Sequence, residues 1–190
     1  MKKLLMPIKS KREVDLTKSI GILVVAAVVF AIASVIGAQQ FSSMIPSRIA
    51  ALGLAGMGIG MFILIFIGGL FYGWLLQLTM TVLTGKGKYV DGLTAIAYTV
   101  FSLSIGAIIS SILAYIPIAG MVIAFAVMSI FGVIGYGLIY KLTKMLFETD
   151  MITAFVGIAV LIAATLLGFS VTTVTGLTGL RTFLPSFVPR

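Results

Sequence analysis

The chain has 190 residues, of which 61% are hydrophobic and only 9% are charged, and its mean hydropathy is +1.25. A soluble domain with so many apolar side chains would aggregate, so the composition excludes a soluble protein and predicts an integral membrane protein. Lysine and arginine outnumber aspartate and glutamate by 13 to 5. In a membrane protein this excess sets orientation, and we therefore expect no nucleic-acid partner.

Runs without charged residues delimit the predicted helices, because a span needs roughly 20 apolar residues to cross a hydrocarbon core of about 30 Å. The run Ser19–Ser47 holds one span, and the run Ile49–Gly85 holds one long helix that is tilted or kinked. The 49 residues of Gly92–Tyr140 exceed one crossing and contain the breaker YIPIAG, so they hold two spans. With one more span in Met151–Leu180, the sequence predicts an all-α membrane bundle of five transmembrane helices.

Three segments follow from these spans: a basic cytoplasmic tail at residues 1–18, a transmembrane domain at 19–170 and an outer tail rich in Thr, Gly and Pro at 171–190. With five spans, ten of the 13 basic residues fall on the side of the amino-terminal tail. This bias predicts a cytoplasmic amino terminus and a carboxyl terminus outside the cell or in the lumen. We favour an anchor over a cleaved signal peptide for the first span, because a cut after Ala38 would place bulky Ile36 where a small residue is needed.

Two charged loops on the predicted cytoplasmic side are the candidate site. The stretch LTGKGKYVDGLT follows the second predicted helix, and YKLTKMLFETD follows the fourth. We expect the apolar residues Met145, Leu146 and Phe147 to lie at the membrane interface and the two loops to face each other. The loops would bind a partner or anionic lipid headgroups, with the equally weighted alternative that their charges only set topology. The candidate residues are Lys86, Lys88, Asp91, Lys141, Lys144, Glu148 and Asp150.

Small residues at four-residue spacing predict helix-packing seams, because they let helix backbones approach closely in lipid. Packing within the bundle is the favoured interpretation, with a homo-oligomer as a further use. The predicted seam residues are Gly56, Gly60, Gly69, Gly73, Ala164 and Gly168.

The side chains available for chemistry are few. The sequence contains no cysteine and no histidine, and its five carboxylates all fall at or outside the predicted cytoplasmic interface. We therefore expect neither an enzyme nor a bound cofactor or metal. None of the predicted spans contains an ionisable residue, which disfavours ion-coupled transport, and Gln77 is the most polar side chain placed within a span.

The order of several short motifs resembles the Yip-domain family of five-span membrane proteins. These motifs are TGKGKY, AIAYT, YIPIAG and VIGYGLIY, and the resemblance covers roughly Phe62 to Gly168. It implies a scaffold or adaptor linked to membrane traffic, with a small GTPase as partner, in the endoplasmic reticulum or Golgi of a eukaryote or in the cell membrane of a prokaryote. The tail of only 18 residues, and Ser102 where many relatives have proline, indicate a minimal prokaryotic-type member.

Three functions remain open at this point. The first is a non-enzymatic scaffold or adaptor that acts through the cytoplasmic loops. The second is a small channel, a lipid-moving protein or a permease subunit that uses the glycine seams as a flexible path. The third is a structural subunit that completes a larger membrane complex.

Overall fold

The computed structural model of the chain describes residues 15–40, 53–116, 119–164 and 166. These residues form five helices and, within those ranges, no strand. The predicted all-α membrane bundle is therefore confirmed. The helices are α1 Leu16–Gln40, α2 Gly53–Thr84, α3 Tyr89–Leu113, α4 Gly120–Leu146 and α5 Met151–Ala164.

The first four helices are long and apolar enough to cross a membrane. They contain 25 to 32 residues, which corresponds to about 37–48 Å at 1.5 Å per residue. The long second run forms one continuous helix, and the third run is divided at YIPIAG, as predicted. Helix α5 has 14 residues, about 21 Å, so the fifth crossing remains a prediction whose outer part, residues 165 and 167–170, lies outside the described residues.

Helix α3 occupies the centre of the bundle and packs against α1, α2 and α4. All seven residues from Asp91 to Ala97 are buried, because neighbours surround the first turns of α3. A 2.6 Å hydrogen bond joins the Ser19 and Thr94 hydroxyls at one end of α1. At the other end the Tyr115 hydroxyl donates to the backbone carbonyl of Ile36 at 3.2 Å. Hydrogen bonds thus connect α1 to α3 at one end and to the turn that follows α3 at the other.

The short connections place the starts of α3 and α5 beside the ends of α2 and α4. The contact between Ser19 and Thr94 places the start of α1 at the same end. We call this the basic end of the bundle, since it carries Lys18, Lys86, Lys88, Lys141 and Lys144. It is the end that the charge bias predicts to be cytoplasmic. Most of the predicted tails, residues 1–14 and 171–190, lie outside the described residues, as do Arg48, Arg181 and Arg190.

The glycines of α2 differ in what surrounds them. A Cβ atom on Gly73 would lie 2.8 Å from Leu93 Cα, and one on Gly69 would lie 2.5 Å from Leu23 Cδ1. These two glycines therefore allow α3 and α1, respectively, to approach α2 closely. A Cβ on Gly60 would meet nothing within 4 Å among the described residues.

The other predicted seam residues carry less information. Gly56 and Ala164 are half-buried, and Gly168 lies outside the described residues.

Candidate functional site

Two tight turns form the outward surface of the basic end. Residues 85–88 connect α2 to α3, and residues 147–150 connect α4 to α5. The first turn reverses the chain through Gly85 and Gly87, whose φ angles are +68° and +138°. Such positive values favour glycine, which has no Cβ to clash with the backbone. The alternation of glycine and lysine in TGKGKY thus specifies a sharp turn with outward lysines.

Phe147 joins the two turns into one surface. Its side chain is only 1% exposed, and a Cβ atom on Gly87 would lie 2.5 Å from Phe147 Cε1. The phenyl ring therefore packs on the bare backbone of Gly87, and the two loops face each other as predicted.

Two of the three apolar residues expected at the membrane interface direct their side chains into the bundle and not toward the membrane. Leu146 and Phe147 belong to the core cluster, and Met145 packs against that cluster. The side chains turn inward because the core reaches to the end of α4 and offers them apolar neighbours there. Burial of Phe147 is what brings the segment onto the other turn.

Four lysines of the two loops are exposed, and we call Lys86, Lys88, Lys141 and Lys144 the basic surface. Lys144 lies in the last turn of α4, and Lys86 follows the end of α2. A helix carboxyl terminus carries a partial negative charge that stabilises nearby cations. The two helix ends thus favour the placement of lysine beside them.

Asp91, predicted as part of the binding face, is only 3% exposed. Its Oδ2 atom accepts a hydrogen bond of 3.0 Å from the backbone N–H of Lys88. This is the carboxylate half of a capping box at the start of α3. The geometry gives Asp91 the role of fixing the turn that carries Lys86 and Lys88, and its own carboxylate holds the position that an external anion would take at this N–H.

The aspartates before α1 and α5 make similar contacts. Asp15 Oδ1 accepts a hydrogen bond of 3.2 Å from the N–H of Thr17. Hydrogen bonds from the Thr153 side chain and backbone to Asp150 lower the pKa of the Asp150 carboxyl below its ordinary value. An aspartate just before a helix is a recognised start signal, and this signal could have indicated the role of Asp15 and Asp150. Glu148, also predicted for the face, is exposed in the second turn at a φ of +50°.

The buried contact between Ser19 and Thr94 is a feature that the sequence interpretation missed. Ser19 is also 3.0 Å from the Asp15 carbonyl, and Thr94 is 2.6 Å from the Val90 carbonyl. The two hydroxyls have two protons for three oxygen–oxygen contacts, so only two of these contacts can be hydrogen bonds at one time. One hydroxyl donates to the other hydroxyl, and the second donates to the backbone carbonyl four residues before it. A serine and a threonine separated by 75 residues give no sequence signal of such a pair.

The interior of the bundle presents few polar atoms to a passing solute. The hydroxyls of Thr94, Thr99, Ser104 and Ser111 all contact carbonyls of α3 itself. Among the described residues, no group of three histidine, cysteine, aspartate or glutamate side chains lies close enough to hold a metal ion.

A cleft of about 380 Å³ opens at the end of the bundle opposite the basic surface. It lies between α1 and α4, and residues at the end of α3 line it as well. Its lining is almost entirely apolar, and the buried Ser110 Oγ atom has no hydrogen-bond partner. Met121 and Phe125 form one wall, and both are exposed. The described residues that line the cleft include no ionisable side chain and so offer no acid or base for catalysis.

The family model described as the Yip1 domain matches residues 9–172. This match covers most of the chain and extends beyond the segment on which the resemblance was based, so the predicted family is confirmed. No curated protein and no solved structure matches the chain. The match includes all four lysines of the basic surface and the helices that position them.

Proposed function

Because this chain belongs to the Yip1 domain family, we propose that it is a non-enzymatic membrane scaffold or adaptor that holds a binding partner at the cytoplasmic boundary of the bilayer. The basic surface is the proposed contact. Membrane organisation or vesicle traffic is the process in which such a surface would act.

The packing of Phe147 on Gly87 is the observation that carries this proposal. It brings Lys86 and Lys88 beside a segment that follows them by more than fifty residues. Lysines on two independent loops would have to be ordered when a partner binds, at a cost in conformational entropy. Turns that already pack on each other reduce that cost, as expected of a surface used for binding.

The transport alternative receives less support from the glycine seams. Leu23 fills the space beside Gly69, and the backbone of Leu93 fills the space beside Gly73. A flexible path along α2 would have to displace both helices. The contacts of these two glycines are those of close helix packing.

Photocrosslinking in native membranes tests the proposal. A photoreactive residue replaces Lys88 or Lys144, and a matched control replaces Val133, an exposed apolar residue of α4. We expect a discrete species to be captured from both basic positions and not from Val133. Equal and unspecific labelling at all three positions would refute a binding role for the basic surface.

A charge-neutralised variant separates binding from topology. With the photoreactive residue at Lys88 or Lys144, Gln at the other three lysines of the basic surface should abolish the captured species in a protein that still inserts. The matched control neutralises Lys2, Lys3 and Lys9, which removes the same charge from the same predicted side. Lys11 is neutralised as well wherever all four lysines of the basic surface are replaced. Capture that survives the first variant would assign the four lysines to topology alone.

Stoichiometric recovery of fixed subunits in mild detergent would instead support a structural component of a larger complex.

A further inference from the structure

We propose that the partner recognised by the basic surface is the net anionic headgroup of acidic phospholipids in the adjoining leaflet. This inference rests on the proposed function, because it names the partner of the same surface. Four features of the basic end lead to it: the depth of the lysines, their apolar neighbours, the engagement of the aspartates and the small area of the turns.

The depth of the lysines follows from the length of the turns. Each connection contains four residues, 85–88 and 147–150. A four-residue segment that leaves and returns projects at most about 7 Å beyond the helix ends, at 3.3–3.6 Å per extended residue. The headgroup layer is about 5–7 Å thick on each side of a 30 Å hydrocarbon core. Lys86 and Lys88 lie on the first turn, whereas Lys144 and Lys141 lie two and five residues before the end of α4, about 3 and 8 Å inside it. Long lysine side chains reach the interface from such positions, so the four ammonium groups lie in the layer that contains the lipid phosphates.

Exposed apolar side chains border both turns and set the hydrocarbon boundary close to the lysines. Val82 is 77% exposed and precedes Lys86 by four residues, and Ile152 is 73% exposed just after the second turn. Side chains so exposed are stable against hydrocarbon rather than water. Val82 lies two residues, or about 3 Å, before α2 ends at Thr84, and Lys86 follows two residues after that end. Hydrocarbon and the first lysine are thus close together along the membrane normal.

The aspartates at this end direct their carboxylates toward helix amino termini. Asp91 bonds the Lys88 N–H, Asp15 bonds the Thr17 N–H, and Asp150 bonds Thr153. The positive partial charge of each helix start offsets the carboxylate beside it. Glu148 is also exposed on the second turn, but the four exposed lysines outnumber it, so the net charge of the surface is positive and its complement is anionic.

The area of the turns favours a lipid over a soluble protein. A stable protein interface buries about 800 Å² on each side and involves 20–30 residues. The described basic end offers two four-residue turns and the adjoining helix ends. A phosphate needs only one or two ammonium groups at hydrogen-bonding distance, which each of the two loops provides.

The single tryptophan of the chain gives an intrinsic probe of nearby lipid. Trp74 is exposed on α2, ten residues or about 15 Å before the helix ends at Thr84, at the depth of acyl chains in the adjoining leaflet. The full chain is placed in phosphatidylcholine vesicles that contain either dibrominated phosphatidylserine or dibrominated phosphatidylcholine. Quenching of Trp74 then reports the relative binding constant of the two lipids.

We expect phosphatidylserine, whose headgroup is anionic whereas that of phosphatidylcholine is zwitterionic, to quench more strongly, by about fivefold in relative binding constant for each lysine beside an anionic headgroup. The preference should fall when NaCl is raised from 0.1 to 1 M, since the Debye length shortens from about 10 Å to about 3 Å. Equal quenching by the two lipids at 0.1 M NaCl would overturn the inference.

Substitutions assign the preference to the basic surface. Gln at the four lysines should remove it, whereas Arg at the same positions and the neutralised tail variant should keep it. A Gln variant with the full preference would overturn the inference. If that variant fails to insert, the Arg variant and the salt titration of the unmodified chain still decide.

Failure of this inference and failure of the proposed function are distinguishable. Absence of a phosphatidylserine preference, together with capture of a GTPase or another protein from Lys88 and Lys144, would refute the lipid and leave the scaffold standing. Capture of nothing beyond the Val133 control would refute the scaffold itself.

Discussion

Alanine at Gly73 should push α2 away from α3. A Cβ atom there would lie 2.8 Å from Leu93 Cα and 3.1 Å from Leu93 N. Carbon atoms are best separated by about 3.5–4.0 Å, and backbone atoms cannot rotate away as a side-chain tip can. The two helices must therefore separate by up to about 1 Å, which also loosens the neighbouring contacts of α3.

Alanine at Gly60 is the matched control, because a Cβ there meets nothing within 4 Å among the described residues. Both substitutions gain about 1 kcal/mol of helix propensity, since both glycines lie inside α2. Overpacking costs about 1–3 kcal/mol and applies only to Gly73. The difference between the two variants is then about 1–3 kcal/mol, which corresponds to roughly 2–12 °C in Tm for a chain of this size.

Thermal unfolding of the two variants in one detergent measures this difference. The fraction of monodisperse protein that remains after heating gives the midpoint for each. We expect Gly73→Ala to melt below the unmodified chain or close to it, and Gly60→Ala to melt above both. Equal midpoints, or a higher midpoint for Gly73→Ala, would refute the close approach of α2 and α3 at this residue.

Three further predictions concern the contacts of the basic end. Ser19→Ala should lower the free energy of unfolding by about 0.6 kcal/mol, and by at most about 1.7 kcal/mol, because it removes the hydrogen bond to Thr94. The control Ser34→Ala should cost less, because the Ser34 hydroxyl bonds a carbonyl of its own helix. Equal thermal unfolding midpoints for the two variants would contradict this prediction. Gly87→Ala should raise amide hydrogen exchange at residues 147–150, because the φ of Gly87 is +138° and the Phe147 ring fills the space that the new Cβ would need. Unchanged exchange would count against the packing of the two turns on each other. Because the pKa of Asp150 is lowered in the folded protein, its ionised carboxylate stabilises the fold at pH values above the ordinary pKa of 3.8. This contribution disappears as pH falls through the lowered pKa. Asp150→Asn should therefore lose the acid-induced rise in exchange at the start of α5, and a rise of the same size in both proteins would exclude the carboxylate as its cause.

Much of the site could be anticipated from short local patterns. The charged stretch LTGKGKYVDGLT predicted a cytoplasmic loop after the second helix, and the structure has a turn there in which both lysines are exposed. Local spacing could not reveal that Asp91 is buried, because the same aspartate suits a solvated loop or a helix cap. Its burial depends on how closely α2 approaches the start of α3, where a Cβ on Gly92 would meet the Gly73 carbonyl and Gln77.

The sequence by itself determined the helices, their breaks and the end that carries the lysines. Long apolar runs can satisfy their backbone groups in a bilayer only as helices, and charged residues can lie only where those runs end. Only the tertiary structure decided which faces meet, as in the contrast between Gly73 and Gly60 or the inward turn of Phe147. The reason is that lipid is as apolar as a helix–helix contact, so a membrane helix is apolar all round. No alternation of polar and apolar residues then marks the buried side, and the partner surface is set by packing alone.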